Sequence, residues 1–330
     1  MPVPESVRFR GTPLPIDRTF TVALRGPSGP ASPRVHRAAL RLLERLGRQT
    51  GIPVPIETSR DPDLATLLIE YFESVPGVQR AIEDESYTLE VDAAGAALRA
   101  PTSYGVLRGI ETFLQLVEVA VPATAVTAVD RRSTIPDLEP EPEDFIVPGV
   151  EIRDVPRFPW RGLLIDPGRH FLSIDVMKRN LDAMAAVKLN VLHWHLSEDQ
   201  GFRVESRIFP KLHELGSGGF YYTQDEIQDF VAYGRDRGIR VMPEFDMPGH
   251  ATSWFVGYPE LASAPGPYEI IKTWGIQDPS MDPTRDETYE FLEAFIAEMV
   301  TLFPDNYFHI GGDEVNGNQW NGNPDRKSVV

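Results

Sequence analysis

The sequence predicts an α/β protein: a (β/α)8 barrel of the TIM type, of which the first half is recognisable, preceded by a small α+β domain. Three observations predict it. From about residue 150 the chain alternates apolar strand-like runs with helical stripes. Each of four such strands ends in polar or charged residues, the pattern of parallel strands carrying a site at their C-terminal ends. A proline- and acid-rich segment, Thr134–Val147, separates this part from a differently ordered beginning and reads as a linker or connecting loop. The expected domains are therefore residues 1–148, noncatalytic, and 149–330, carrying the chemistry.

Taken in order, TFTVALRG (19–26) reads as a strand, and Val35, Ala39, Leu42, Leu43 and Leu46 mark one face of a helix. LATLLIEYF and SYTLEVDA read as strands, and Val106, Ile110, Phe113, Leu114 and Val117 form a second helical stripe. No chemical motif stands out in this domain; Arg108 and Glu111 read as exposed polar partners on the second helix. Beyond the linker, RGLLIDPGRHF is the first strand of the barrel. A helix follows, with Ser173 as N-cap and Met177, Leu181, Met184 and Val187 as its buried stripe. NVLHWHLSEDQGFR is the second strand, followed by a helix from Thr223 whose capping box is completed by Glu226 and whose core face is Ile227, Phe230, Val231 and Gly234. GIRVMPEFDMPGH is the third strand. Its helix starts at Thr284 with a box from Glu287 and buries Leu292, Phe295, Ile296, Met299 and Phe303. YFHIGGDEV is the fourth strand.

With 330 residues and 42% hydrophobic content, the chain can bury a sizeable core. A net charge of −17 argues against nucleic acid, whose phosphates need a clustered basic face. The absence of cysteine excludes disulfides, thiolate metal sites and a cysteine nucleophile. The first residues lack the apolar core of a signal peptide, and no run approaches about 18 continuous apolar residues. A cytoplasmic location without a membrane partner is expected, with export from another start site compatible.

The strand ends gather Asp166, Arg169 and His170; His193, His195, Glu198 and Asp199; Glu244, Asp246 and His250; Asp313 and Glu314. In FHIGGDEV an apolar run meets two glycines, which relieve crowding so that the next two side chains can turn into a cleft instead of alternating across a sheet. One carboxyl could then donate protons while its neighbour holds substrate; a helix N-cap or solvated acid pair is the plain alternative. His193 and His195 share a strand face, a spacing that suits a metal with Asp246 or His250 nearby, and equally suits hydrogen bonding to neighbouring acids. Arg169 can hold substrate hydroxyls through its planar fork, and can pair with Asp166 or Glu198. Trp194, Trp254 and Trp274 lie near the strand ends, where flat rings suit sugar faces or core packing, and Trp194 suits the core.

As a set, these motifs resemble the family 20 glycoside hydrolases, the β-N-acetylhexosaminidases, from about residue 60 onward. GLLIDPGRHF resembles the first barrel strand with its sugar-binding arginine, here Arg169. NVLHWHLSEDQGFRVES looks like the second, with His195 and an acidic pair, Glu198 and Asp199, where many relatives have two aspartates. GIRVMPEFDMPGHATSW resembles the third, with Asp246 and His250 lining the site, and HIGGDEV carries the catalytic pair. The resemblance implies hydrolysis of terminal β-linked GlcNAc or GalNAc from oligosaccharides or glycoconjugates, with no cofactor and no metal. Glu314 would be the acid and base and Asp313 would orient the 2-acetamido group, which itself attacks C1 to give an oxazolinium ion. Adjacent residues fit this better than a nucleophile pair, because ordinary retaining enzymes place two carboxyls about 5–5.5 Å apart across the bond.

A complete barrel typically takes about 250 residues, and strands five to eight, with the family's acetamido-pocket tryptophans and tyrosine, have no counterpart here. The expectation is thus of a hexosaminidase or its N-terminal part. The rival readings are an inactive fragment or binding module that needs a complementary C-terminal half, and a metal-dependent barrel hydrolase. Open sheet edges predict self-association or pairing with such a half.

Overall fold

The computed structural model describes residues 2–27, 32–75, 77–120 and 144–324. They form two compact units. One contains the chain to Gly77 with Ala81–Pro159 and Ala186–Lys188; the other contains Val78–Arg80, Trp160–Ala185 and the chain from Leu189 onward.

In chain order the first unit comprises β1 (Ser6–Phe9), β2 (Leu14–Ile16), β3 (Val22–Arg25), α1 (Pro33–Thr50), β4 (Thr58–Ser59), β5 (Leu67–Glu73), β6 (Tyr87–Asp92), β7 (Gly95–Thr102), α2 (Ser103–Leu116), β8 (Glu118–Val119), β9 (Phe145–Val147) and β10 (Val150–Asp154). Seven strands make one sheet in the order β1-β10-β6-β7-β5-β3-β4, while β2, β9 and β8 make a smaller one. The α1 stripe is buried as its spacing predicts, with Pro33 opening the helix and Gly51, left-handed at φ +70, closing it. The second helix departs from expectation. Arg108 and Glu111 are buried, not exposed, because α2 is covered along nearly its whole length. Each is neutralised by a partner outside the helix: Arg108 donates to Glu85 at 2.5 Å, and Glu111 accepts from Arg45 at 2.6 Å.

The expected linker lies mostly outside the described residues, in 121–143. Its last residues, Phe145–Val147, are strand β9 and pair with β2 and β8. The next strand, β10, lies between β1 and β6 in the large sheet. The first unit therefore runs on to Pro159, past the boundary expected at 148.

The second unit comprises β11 (Gly162–Ile165), α3 (Ile174–Ala186), β12 (Val191–Glu198), β13 (Gly201–Phe202), α4 (Lys211–Gly216), α5 (Gln224–Asp236), β14 (Arg240–Phe245), α6 (Thr252–Gly257), α7 (Asp286–Met299) and α8 (Asn318–Gly322). Strands β11, β12 and β14 are parallel neighbours joined by helical crossovers, the architecture of a partial barrel. All six residues of β14 are buried, as are all of β12 but His193, as befits parallel strands covered on both faces. The expected fourth strand is a single parallel bridge, Glu244 to His309, with Phe245 and Met247 donating to His309 O and Ile310 O. Gly311 and Gly312, at φ +69 and +108, end the extended run.

Helix α3 buries Met177, Leu181 and Met184, with Ala185 in place of Val187, which lies past the helix end and is exposed. The capping box at Thr223 and Glu226 is formed in full, and the α5 core face is buried as expected. The box expected at Thr284 is absent, because the Thr284 hydroxyl donates to Asp282 at 2.7 Å and α7 starts after Arg285. On α7 and beyond, Phe295, Met299 and Phe303 are buried, while Leu292 and Ile296 are half-buried. Among the described residues no helix is long and apolar enough to cross a membrane.

Candidate active site

The site is built where β12 and β14 end and the 309–314 segment begins. A bulge decides its composition. The β12–β14 register shifts between His195 and Ser197, so that His195 faces Glu244 while Ser197 faces Phe245. One extra residue reverses the alternation of side chains, which returns Glu198 to the face that carries His195. Simple strand alternation would have sent Glu198 to the opposite face.

Glu198 is fully buried and links the site's cations. Its Oε1 lies 2.6 Å from Arg169 Nη2 and 3.3 Å from His195 Nε2, and its Oε2 lies 3.2 Å from His250 Nδ1. Burial alone would push this carboxyl up, but the contacts with His195 and His250 hold it down at about 2. Arg169 also donates to Asp166 at 2.6 Å, so both partners weighed from the sequence are engaged at once. Asp199 Oδ1 accepts from the Thr252 amide and hydroxyl, and Asp199 Oδ2 lies 3.6 Å from His250 Nδ1. Asp199 and then Glu198 raise His250 to about 11, against desolvation, so it is an imidazolium. Its Nε2 is 3.3 Å from Glu314 Oε2. Glu314 and His250 both hold left-handed backbone, φ +52 each, which costs a residue with a Cβ on the order of 1–3 kcal/mol and gathers at functional sites.

Asp246 lies beside the pair. Its Oδ1 accepts from the Gly312 amide at 3.1 Å, and ligand atoms of Asp246, His250 and Asp313 all lie within 4.8 Å of one another. Burial raises Asp246 to about 7, against the Gly312 hydrogen bond and with help from the Asp313 charge. Asp313 and Glu314 are exposed. One buried polar atom here, Asp246 Oδ2, has no hydrogen-bond partner among the described residues. Buried polar atoms are seldom left so, and this one, beside Asp313, marks a place for a polar ligand or water.

A second layer is built on Glu244, which accepts from His193 Nε2 at 2.5 Å and His195 Nδ1 at 2.6 Å and whose other oxygen is 3.0 Å from His309 Nδ1. Although burial opposes it, the carboxylates Glu198 and Glu244 raise His195 to about 10, so it bridges the two layers as a cation. His193, Glu244 and His309 could together hold a metal ion, as could His195, Glu198 and Asp246. Hydrogen bonding to Glu244 accounts for both strand histidines without one.

The structure thus brings together Arg169, His195, Glu198, Asp199, Asp246, His250, Asp313 and Glu314. His170 is exposed, with no ion pair among the described residues. Trp194 and Trp254 are core, packed against Tyr222 and Phe230 and against Phe202 and Phe295. His309 was not singled out from the sequence; its place two residues before the glycine pair, on a strand bound for the same face as Glu244, is the signal that could have found it.

A family model described as glycosyl hydrolase family 20, catalytic domain, matches residues 158–330, and one described as beta-acetyl hexosaminidase like matches residues 1–116. The chain is 34% identical over 289 residues to a beta-hexosaminidase of Porphyromonas gingivalis, covering 84% of this chain and 35% of that one. To beta-hexosaminidase subunit beta of Sus scrofa it is 43% identical over 243 residues, covering 73% and 41%. Among solved structures it is similar to the chitobiase of Flavobacterium johnsoniae, with TM-score 0.87 and 39% identity over 99% of this chain and 46% of that one. It is also similar to the N-acetyl-beta-hexosaminidase of Streptomyces plicatus in complex with Thio-NAglucal, with TM-score 0.79 and 30% identity over 100% and 62%. The chain spans between about a third and half the length of the curated relatives it matches.

Proposed function

The chain belongs to glycosyl hydrolase family 20, and from that premise we propose that it cleaves terminal β-linked N-acetylhexosamine by a retaining, substrate-assisted mechanism, with Glu314 as general acid and base and Asp313 as the group that orients the acetamide. The observation that carries this reading is the contact of Glu314 with the buried His250 imidazolium, 3.3 Å apart, with Asp313 adjacent in the chain.

The sugar's C1 and C2 lie at the Asp313–Glu314 end. Glu314 gives its proton to the leaving oxygen as the acetamido carbonyl oxygen bonds to C1 and the glycosidic bond breaks; the electron pair leaves with the aglycone. Asp313 accepts the acetamido N–H and balances the positive charge that develops on the oxazolinium ring. Water then attacks C1, giving its proton to Glu314, and the ring opens with the β configuration restored. His250, backed by Asp199 and Glu198, holds the Glu314 carboxyl in place. Arg169 stands at the other end of the chain of contacts through Glu198 and His250, where the C3 and C4 hydroxyls fall.

Hydrolysis of a chromogenic β-GlcNAc substrate by the purified chain tests the reading. Glu314→Gln should lower kcat at least 100-fold with KM little changed, and a chelator should leave the wild-type rate intact. Activity lost to chelator and restored by a divalent ion would favour the metal-dependent alternative, and no activity in soluble, folded chain would overturn the proposal for this chain.

A further inference from the structure

Trp274 is unlike the other site tryptophans. Its side chain is 85% exposed, whereas Trp194 and Trp254 are fully buried. The Arg169 guanidinium carbon lies 5.8 Å from the centroid of its ring. The loop that carries it is tied at both ends to the catalytic strand ends. On one side Ile271 N donates to Asp199 O at 3.3 Å, and Gln200 Nε2 to Thr273 O at 2.9 Å. On the other, Asn316 Nδ2 donates to Gln277 O and to Asp278 Oδ1, which also accepts from Asn318 Nδ2 at 2.7 Å. Asp199 adjoins Glu198, the partner of Arg169, and Asn316 follows Glu314 by two residues. Residues 271–278 therefore run along the site from its hydroxyl end to its acid, with a large apolar ring held in water beside the arginine.

The hydrogen bonds on either side hold the backbone that carries this exposed indole, so little backbone freedom remains to be lost when something packs on the ring. Pyranose rings present apolar C–H faces and polar edges, and an indole beside a guanidinium matches both features. We propose, resting on the hexosaminidase reading, that Trp274 packs against the C3–C4 end of the terminal N-acetylhexosamine, and that the 271–278 loop is the rim that selects a terminal sugar. Trp274 acts through binding: its contacts are the same before and in the transition state, so its loss raises KM and leaves kcat.

The test uses the full chain, with calorimetric titration of GlcNAc and hydrolysis of a chromogenic β-GlcNAc substrate. Trp274→Ala should raise Kd for GlcNAc and KM about five-fold, in the range of aromatic contacts, with kcat within about two-fold, and Trp274→Phe should restore most of the loss. Should the alanine variant prove less stable, the phenylalanine variant and a Trp274→Leu variant decide, since leucine keeps apolar bulk without the flat face and should bind like alanine. Wild-type binding and hydrolysis with Trp274→Ala or Trp274→Leu unchanged would overturn this proposal alone. A wild-type chain that neither binds GlcNAc nor cleaves the substrate would overturn the hexosaminidase reading, and this one with it.

Discussion

Gly311 and Gly312 look interchangeable and are not. Both have positive φ, but a Cβ at Gly311 would overlap the Asp246 carboxylate, while one at Gly312 would meet nothing within 4 Å. Asp246 cannot easily give way, since it is buried, accepts from the Gly312 amide and lies against Asp313. Gly311→Ala should therefore displace the carboxylate beside the catalytic pair and lower kcat/KM about 100-fold, with a loss of roughly 2–4 kcal/mol in stability. Gly312→Ala should show backbone strain alone, about 1–2 kcal/mol, and a much smaller kinetic effect. Steady-state kinetics beside urea unfolding of both variants separates the two; equal effects would mean that Asp246 is not what Gly311 makes room for. The sequence shows that something near Asp313 needs space. Which glycine supplies it depends on Asp246, some 65 positions away, and no local pattern carries that.

At the scale of the element, two similar sequence signals have opposite outcomes. Thr223 and Glu226 close a capping box, with Thr223 Oγ1 accepting from the Glu226 amide at 3.2 Å and Glu226 accepting from the Thr223 amide at 2.8 Å. Thr284 and Glu287 have the same spacing, but the buried Asp282 takes the threonine hydroxyl and amide first. Thr223→Ala should cost about 1 kcal/mol, whereas Glu287→Ala should stay within about 0.5 kcal/mol, measured as shifts in urea midpoint at constant slope. Comparable losses would mean that the α7 box forms in solution. Apolar periodicity was legible for α1, α5 and the four strand ends, because each is written within one segment. What was not legible depends on distant partners: the bulge that turns Glu198 inward, the burial of Arg108 by Glu85 and of Glu111 by Arg45, and the pairing of Phe145–Val147 inside a segment that reads as linker.

For the whole molecule, the site's buried charges set how stability follows pH, and five groups fix the sign. Glu198, held at about 2, contributes stability above the unfolded carboxylate value near 4.5, and that contribution is lost as pH falls toward 2. Asp246, raised to about 7, works the other way: the folded chain holds its proton more tightly, so stability falls as pH climbs from about 4 to 7. His195 and His250, raised to about 10 and 11, contribute fully below 6.5, and their contribution drains away through the alkaline range. Glu244, held against desolvation well below the usual carboxylate range by His193 and His195, acts as Glu198 does, and the five together place the maximum near pH 4–5, with a continuous decline above it. The melting temperature should fall by about 5 °C or more between pH 5 and pH 9. A net charge of −17 would also weaken the chain at high pH through self-repulsion, so the decline alone does not identify its source. His250→Asn does. It removes one raised imidazolium while leaving surface charge nearly unchanged, so its curve should be lower at pH 5 and visibly flatter between pH 7 and 10, whereas general repulsion predicts parallel curves. Parallel curves would place the alkaline loss on the surface and remove the cationic histidine from the account of how Glu314 is held.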